Sequence, residues 1–400
     1  MSSGTEMAAA ENGRAGLLSR LSESEDVLWW SVGLALAASL RLSLFRFESG
    51  DYISHLGLWY DYIQTHGGFS ALADNFSNYT PPYLYLMWVA TKLPVAKLAA
   101  IKLIAVPFDF LLAFIVLLTV RHKYQNKTIL MLACFAVLFA PTVIFNSALW
   151  AQSDAMYTSF LVGAVLYLLR KRPVAAFVCF SVALSFKTQA VFLAPLFLIL
   201  YLKKRVPAWV VVLFPAIYFV FVIPAWLAGR PLRDVLTMHW QQAETFKQLT
   251  MNAPNLYQWL PDDYDLFGRF GIVLALTAVF VFCLVVWKSR AEITDELLVR
   301  LALLSLLLVP FFLPRMHERY FFPADVVAIV YAFYFPRRFY VPLVVGLVSL
   351  LSYFPFLFGK TVIELPWLAL LMGAMLVVVV CDTVRELYPN LAFKTQLTSR

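Results

Sequence analysis

Pro81-Pro82-Tyr83-Leu84-Tyr85-Leu86-Met87-Trp88-Val89-Ala90-Thr91-Lys92-Leu93-Pro94-Val95 is the stretch on which the fold turns. Counted as a membrane span, it reverses the side of every later loop. Left out of the count, it puts five basic connections on one side: Arg121 to Lys127, Arg170 to Arg172, Lys203 to Arg205, Lys288 to Arg290 and Arg337 to Arg338, together holding 13 Lys and Arg. Cationic loops stay in the cytosol, so this second count is adopted. The segment is then expected as an interfacial or re-entrant helix on the outer face, a depth that suits Tyr83, Tyr85 and Trp88.

Outward from it, twelve apolar runs are expected to span: roughly 27–45, 98–120, 128–145, 155–169, 173–187, 190–202, 207–227, 270–287, 298–313, 320–335, 340–358 and 363–381. Residues 1–26 are expected as a disordered cytosolic tail, 27–381 as a single transmembrane domain and 382–400 as a second cytosolic tail. The first run begins only near Val27, behind Glu23 to Asp26, which argues for an uncleaved first helix. With both termini cytosolic, the outer face receives a first loop, 46–97, carrying interfacial helices, and a second loop, 228–269. It also receives the turns at Trp150 to Asp154, Lys187 to Gln189 and Pro314 to Tyr320. Every unusual polar cluster thus falls on one side, although none entered the charge count.

Composition agrees with an all-α polytopic membrane protein. Of 400 residues 62% are apolar and 14% charged, with mean hydropathy +0.76; soluble domains carry about 25% charged residues. The runs are continuous, which excludes the alternating strands of a membrane β-barrel. The net charge of +8 sits in short clusters between apolar runs. It is read as topology and contact with the lipid bilayer, not nucleic acid. Cys134, Cys179, Cys283 and Cys381 lack metal-ligand spacing and read as small core residues.

Each polar cluster has a structural and a chemical reading. Asp51, after Gly50 at the membrane exit, is either the N-cap of an interfacial helix or a general base for an acceptor hydroxyl. Glu48, three residues earlier, is the second candidate base if it shares a helical face with Asp51. His55 and His66 read as surface or interfacial. Tyr79-Thr80-Pro81-Pro82-Tyr83 is a turn feeding a helix. Ser153 or Asp154 is an N-cap, or Asp154 and Gln152 line a polar site. Lys187 either snorkels to headgroups or contacts a phosphate, with Thr188 and Gln189 beside it. Arg315, His317, Glu318 and Arg319 form either a salt-bridge network or a phosphate site, since guanidinium forks match phosphate oxygens. The second outer loop, with His239, Trp240, Gln241, Gln242, Asn252, Asn255, Tyr257, Gln258 and Trp259, suits sugar recognition or a membrane-surface helix equally.

Gly50-Asp51-Tyr52 after the first span, Tyr79-Thr80-Pro81-Pro82-Tyr83, Phe108-Asp109-Phe110 and His317-Glu318-Arg319, in that order, resemble the GT-C glycosyltransferases over roughly residues 40–325. Within them the chain is most similar to the glucosyltransferases that extend the dolichol-linked N-glycan precursor; the glycolipid-anchor mannosyltransferase is more distant. The family's corresponding stretches read Gly-Asp-Tyr, Tyr-Pro-Pro-Leu and His-Glu-Lys, so Arg319 replaces a lysine and keeps its charge. The resemblance implies inverting transfer of a hexose, mannose or glucose, from a polyprenyl-phosphate donor to a glycan or glycolipid hydroxyl at the outer face. Asp51 would be the base, and Lys187, Arg315, His317 and Arg319 the donor-phosphate contacts. Gln152, Asp154, Gln189, Glu318, Tyr79 and Tyr83 would support the site or the sugar. The short chain suggests a bacterial inner-membrane member with an undecaprenyl rather than dolichyl carrier. No cofactor is expected; a divalent metal on Asp51, Glu48 and Asp154 is open but not expected. The competing classes are a transporter or flippase of lipid-linked sugars, against which stand the one-sided charges and the lack of a visible repeat, and an envelope-glycan polymerase or ligase.

Overall fold

The computed structural model describes residues 25–239 and 247–390. The expectations for 1–24, for Trp240, Gln241 and Gln242, and for 391–400 lie outside the described residues. The chain divides into two units, one ending at Leu44 and one from Phe45 onward. The first contributes the apolar helix 25–43, inside which Arg41 Nη1 donates to the Ala37 carbonyl at 3.1 Å.

The second unit is largely helical, and every remaining apolar run falls on helix. Among the described residues five helices are long and apolar enough to cross a membrane: Lys97–Arg121, Ala208–Leu227, Tyr264–Lys288, Pro336–Phe358 and Leu365–Leu387. A sixth span results if Lys127–Leu138 and Pro141–Leu149, bent by 48°, act as one. Asp154–Leu169, Pro173–Phe186 and Thr188–Leu202 are shorter apolar helices. This is the architecture of a polytopic membrane protein, since a helix satisfies its own backbone polar groups in lipid.

Local chemistry sets the helix starts. Asn126, Asp263 and Thr294 accept hydrogen bonds from the N–H groups of Ile129, Leu266 and Leu297, as N-caps do. Pro81 and Pro173 occupy first-turn positions, where the missing N–H costs nothing.

The pivotal stretch forms the helix Pro81–Ala90. Ten residues reach about 15 Å, half of a hydrocarbon core. One face of the helix packs into protein, Tyr83, Leu84 and Met87 being buried with Trp59, Ile63 and Ile101 in one cluster, while Val89 faces outward at 51% exposed.

The basic connections meet at one end of this unit. Lys123 reaches Glu296 at 3.0 Å and the Tyr334 carbonyl at 2.9 Å, and Lys203 donates to the Ser289 carbonyl at 2.6 Å. The helices Asp154–Leu169 and Phe322–Tyr334 run from the polar clusters to Arg170 and Arg337, so the clusters occupy the other end.

Candidate active site

Asp51 lies in a helical run over 50–65 whose segment Tyr52–Leu56 is wound as a π-helix. Its backbone is already helical and its side chain caps nothing. Instead its Oδ2 accepts from Trp150 Nε1 at 2.9 Å and from Gln152 Nε2. These donors follow a second π-helical turn, Phe145–Leu149. Between them Ala151 takes a positive φ of 68°, a conformation that costs a non-glycine residue about 1–2 kcal/mol and that here flanks both contacts to one carboxylate. Ser49 ties the two segments, donating to the Trp150 carbonyl at 2.8 Å while accepting from Tyr52 N–H at 3.2 Å. π-turns and strained φ angles concentrate at functional sites, and both recur here.

Asp154 does not depend on its capping position either. Ser153 makes no side-chain cap, and Asp154, fully buried, accepts from Asn146 Nδ2 at 2.7 Å and pairs with Lys187 Nζ. Lys187 is 8% exposed and sits 5.7 Å from the ring centres of both Tyr79 and Tyr157, so it does not snorkel. Tyr79 donates to Gln152 Oε1 at 3.0 Å, and Tyr83 packs edge-on against Tyr79. Burial pushes the Tyr79 hydroxyl above its ordinary range, so it acts as a donor.

Arg319 is shared among three carboxylates: Glu318 Oε1 at 3.1 Å, Asp154 Oδ2 at 3.8 Å and Asp51 Oδ2 at 3.9 Å. Its guanidinium lies 5.3 Å from the Trp150 ring. Burial raises Glu318 to about 7 against the opposing pull of Arg319. Burial, reinforced by Arg319 and Lys187, holds His317 well below the ordinary histidine range, so its imidazole is neutral at pH 7 and cannot serve as a third cation. The His317 backbone is pinned by parallel pairing of Met316–His317 with Thr250–Met251.

One cleft collects these groups. Its wall carries Asp51, Tyr79, Gln152, Lys187, Gln189, His317 and Arg319. Six residues that sequence reasoning did not place in the site join them: Leu56, Trp59, Asn78, Phe186, Tyr320 and His55, the last read as a surface residue. Asp154 and Glu318 stand behind the wall as partners of its cations. Glu48 is exposed and lies outside the lining; residues 47–49 are not helical, so spacing of three gives it no common face with Asp51. Arg315, at φ 64°, packs 4.0 Å from the Tyr264 ring and lines a separate, mainly apolar cavity that meets the cleft at Gln189 and Tyr320. Trp150 is the largest omission: an indole donor announces itself only when folding brings its partner, 99 residues away, within reach.

The second outer loop mostly braces this region. Tyr257 donates to the Phe312 carbonyl at 2.5 Å and Asn255 caps Leu256–Trp259. His239 Nδ1 lies 2.7 Å from Thr188 Oγ1, and burial lowers its pKa to about 4. Among the described residues no three His, Cys, Asp or Glu side chains converge as a metal-ligand set. No protein-family model matches the chain, and no curated protein matches it.

Proposed function

We propose that the chain is an inverting glycosyltransferase of GT-C type, with about twelve membrane spans, that uses a polyprenyl-phosphate hexose as donor. The observation that carries the reading is Asp51, on the wall of a cleft that also presents Lys187 and Arg319. Both of its hydrogen bonds fall on Oδ2, which leaves Oδ1 for a substrate proton. An acceptor hydroxyl attacks the sugar C1 from the side opposite the phosphate. Its proton passes to Asp51 as the new C–O bond forms, and the bond from C1 to the phosphate oxygen breaks. The polyprenyl phosphate leaves as an anion, and a phosphate leaving group needs no carboxylic acid of the glycosidase kind. Lys187 and Arg319 are fixed before reaction by buried carboxylates, which is how a site stabilises developing charge without reorganising. The neutral His317 and Tyr79 supply hydrogen bonds rather than charge.

The test is transfer from radiolabelled polyprenyl-phosphate mannose and, separately, glucose. It uses purified protein with a membrane glycolipid extract as acceptor, and Asp51→Asn beside wild type. Product that depends on Asp51 supports the reading and identifies the sugar. Absence of both product and donor binding moves the assignment to a transporter.

A further inference from the structure

At the end of the second unit remote from Asp51, four arginines and two carboxylates surround an open cavity of about 720 Å³. The inner pairs are satisfied. Arg338 makes a two-point contact with Asp382 at 2.5 and 2.6 Å. Arg300 reaches Glu386 at 2.6 Å and the Asp382 carbonyl at 2.6 Å. Arg337 is exposed, and Arg385, 67% exposed at its side chain, meets Asp382 only at 3.9 Å. The lining therefore holds four cations against two anions, with the surplus on its accessible residues. Independently, Arg300 is 8% exposed and its Nε has no hydrogen-bond partner among the described residues. A buried guanidinium with spare donor capacity is costly unless something else completes the site.

We propose that this cavity binds the phosphate headgroup of an anionic glycerophospholipid, seated between Arg337 and Arg385. Arginine presents planar N–H forks that match phosphate oxygens. Basic pockets between helix ends at a membrane surface are built for such headgroups. The surroundings select a lipid over a soluble phosphate. Arg337 stands at the start of the long apolar helix Pro336–Phe358, and Arg385 near the end of Leu365–Leu387. Both helices carry apolar side chains outward on this side of the chain, with Phe339 63% and Val377 58% exposed. A headgroup at the arginines thus has hydrocarbon-compatible surface alongside for its acyl chains. The inference does not depend on the chemistry assigned to Asp51.

The experiment uses the full chain, delipidated in nonionic detergent. Its thermal unfolding midpoint is measured with phosphatidylglycerol, with phosphatidylcholine of the same acyl chains at equal mole fraction, and with sn-glycerol 3-phosphate. Phosphatidylglycerol is expected to raise the midpoint above the phosphatidylcholine value, and glycerol phosphate to leave it unchanged. In Arg337→Ala/Arg385→Ala the extra shift is expected to vanish. Equal shifts from the two lipids, or an undiminished shift in the double variant, overturn the proposal and reduce the cluster to a staple between helices. A shift from glycerol phosphate equal to that from phosphatidylglycerol overturns the lipid assignment. Native mass spectrometry of wild type needs no variant: preferential retention of phosphatidylglycerol supports the site, and equal retention of both lipids overturns it.

Discussion

Asp51, Asp154 and Glu318 share one arginine, and each answers to a different measurement. Asp51→Asn keeps the shape and both donors to the side chain but removes the proton acceptor. Turnover is expected to fall by about 10²–10⁴-fold, the range for a positioned base, with donor binding retained; turnover near wild type removes Asp51 from the mechanism. Asp154 and Lys187 form a buried pair, so losing one partner strands the other charge. Asp154→Asn and Lys187→Met are each expected to cost about 3–5 kcal/mol of stability. The double variant should cost less than their sum, which denaturation of all four proteins would show; strict additivity would deny the pairing. Glu318 supplies the pH dependence. Its folded pKa of about 7 lies above the ordinary 4.5, so the fold favours the protonated form. That stabilisation is complete below about pH 4.5 and is lost as pH rises through about 7. The unfolding midpoint of wild type is therefore expected to fall as pH rises from about 4.5 to about 7, and to level off above that. In Glu318→Gln this fall should be smaller, and parallel curves for the two proteins would contradict it.

The elements that hold these residues were unequally legible in the sequence. Apolar runs locate the helices because burial in lipid or protein demands them, and Pro81-Pro82 marks its helix start because proline lacks the N–H that such a start leaves unpaired. The π-turns at Tyr52–Leu56 and Phe145–Leu149 have no compositional signature, being local slips in winding that tertiary contacts select. Asp51, Gln152, Lys187, His317 and Arg319, which the sequence singles out, line one cleft. Glu48 was attached to them by spacing, which fails where the chain is not helical, and Arg315 by adjacency, which fails where φ turns positive. Helix packing also positions the site from behind. A Cβ on Gly271 would clash with Tyr257 Oη, the group that anchors the second outer loop to Phe312. Gly271→Ala is expected to destabilise by about 1–3 kcal/mol and to lower turnover without touching the cleft. Unchanged melting and turnover would show that Tyr257 gives way freely.

Across the second unit, the basic connections gather at one end and the cleft at the other, so the orientation in the membrane decides which compartment the cleft opens to. From the charge distribution we propose that the cleft faces outside. A cysteine introduced near Gly67, as Gln64→Cys on the exposed side of the cleft-bearing helix 50–65, is expected to react with an impermeant reagent from the outer side of oriented vesicles; labelling only from the cytosolic side would invert the topology. The three shorter apolar helices bear on how the bilayer meets the cleft. Asp154–Leu169 starts at Asp154, Pro173–Phe186 stops beside Lys187, and Thr188–Leu202 begins just past it. At 14 to 16 residues they measure about 21–26 Å, several ångströms short of the hydrocarbon thickness. Asp154–Leu169 is enclosed by protein, whereas the other two turn Val174, Val178, Val191 and Leu198 outward. A bilayer meeting short helices thins toward them. The membrane would dimple beside Pro173–Phe186 and Thr188–Leu202, bringing its phosphate plane down to Lys187; on the function proposed above, a carrier lipid would then arrive with its isoprenoid chain still immersed and no step spent lifting it out.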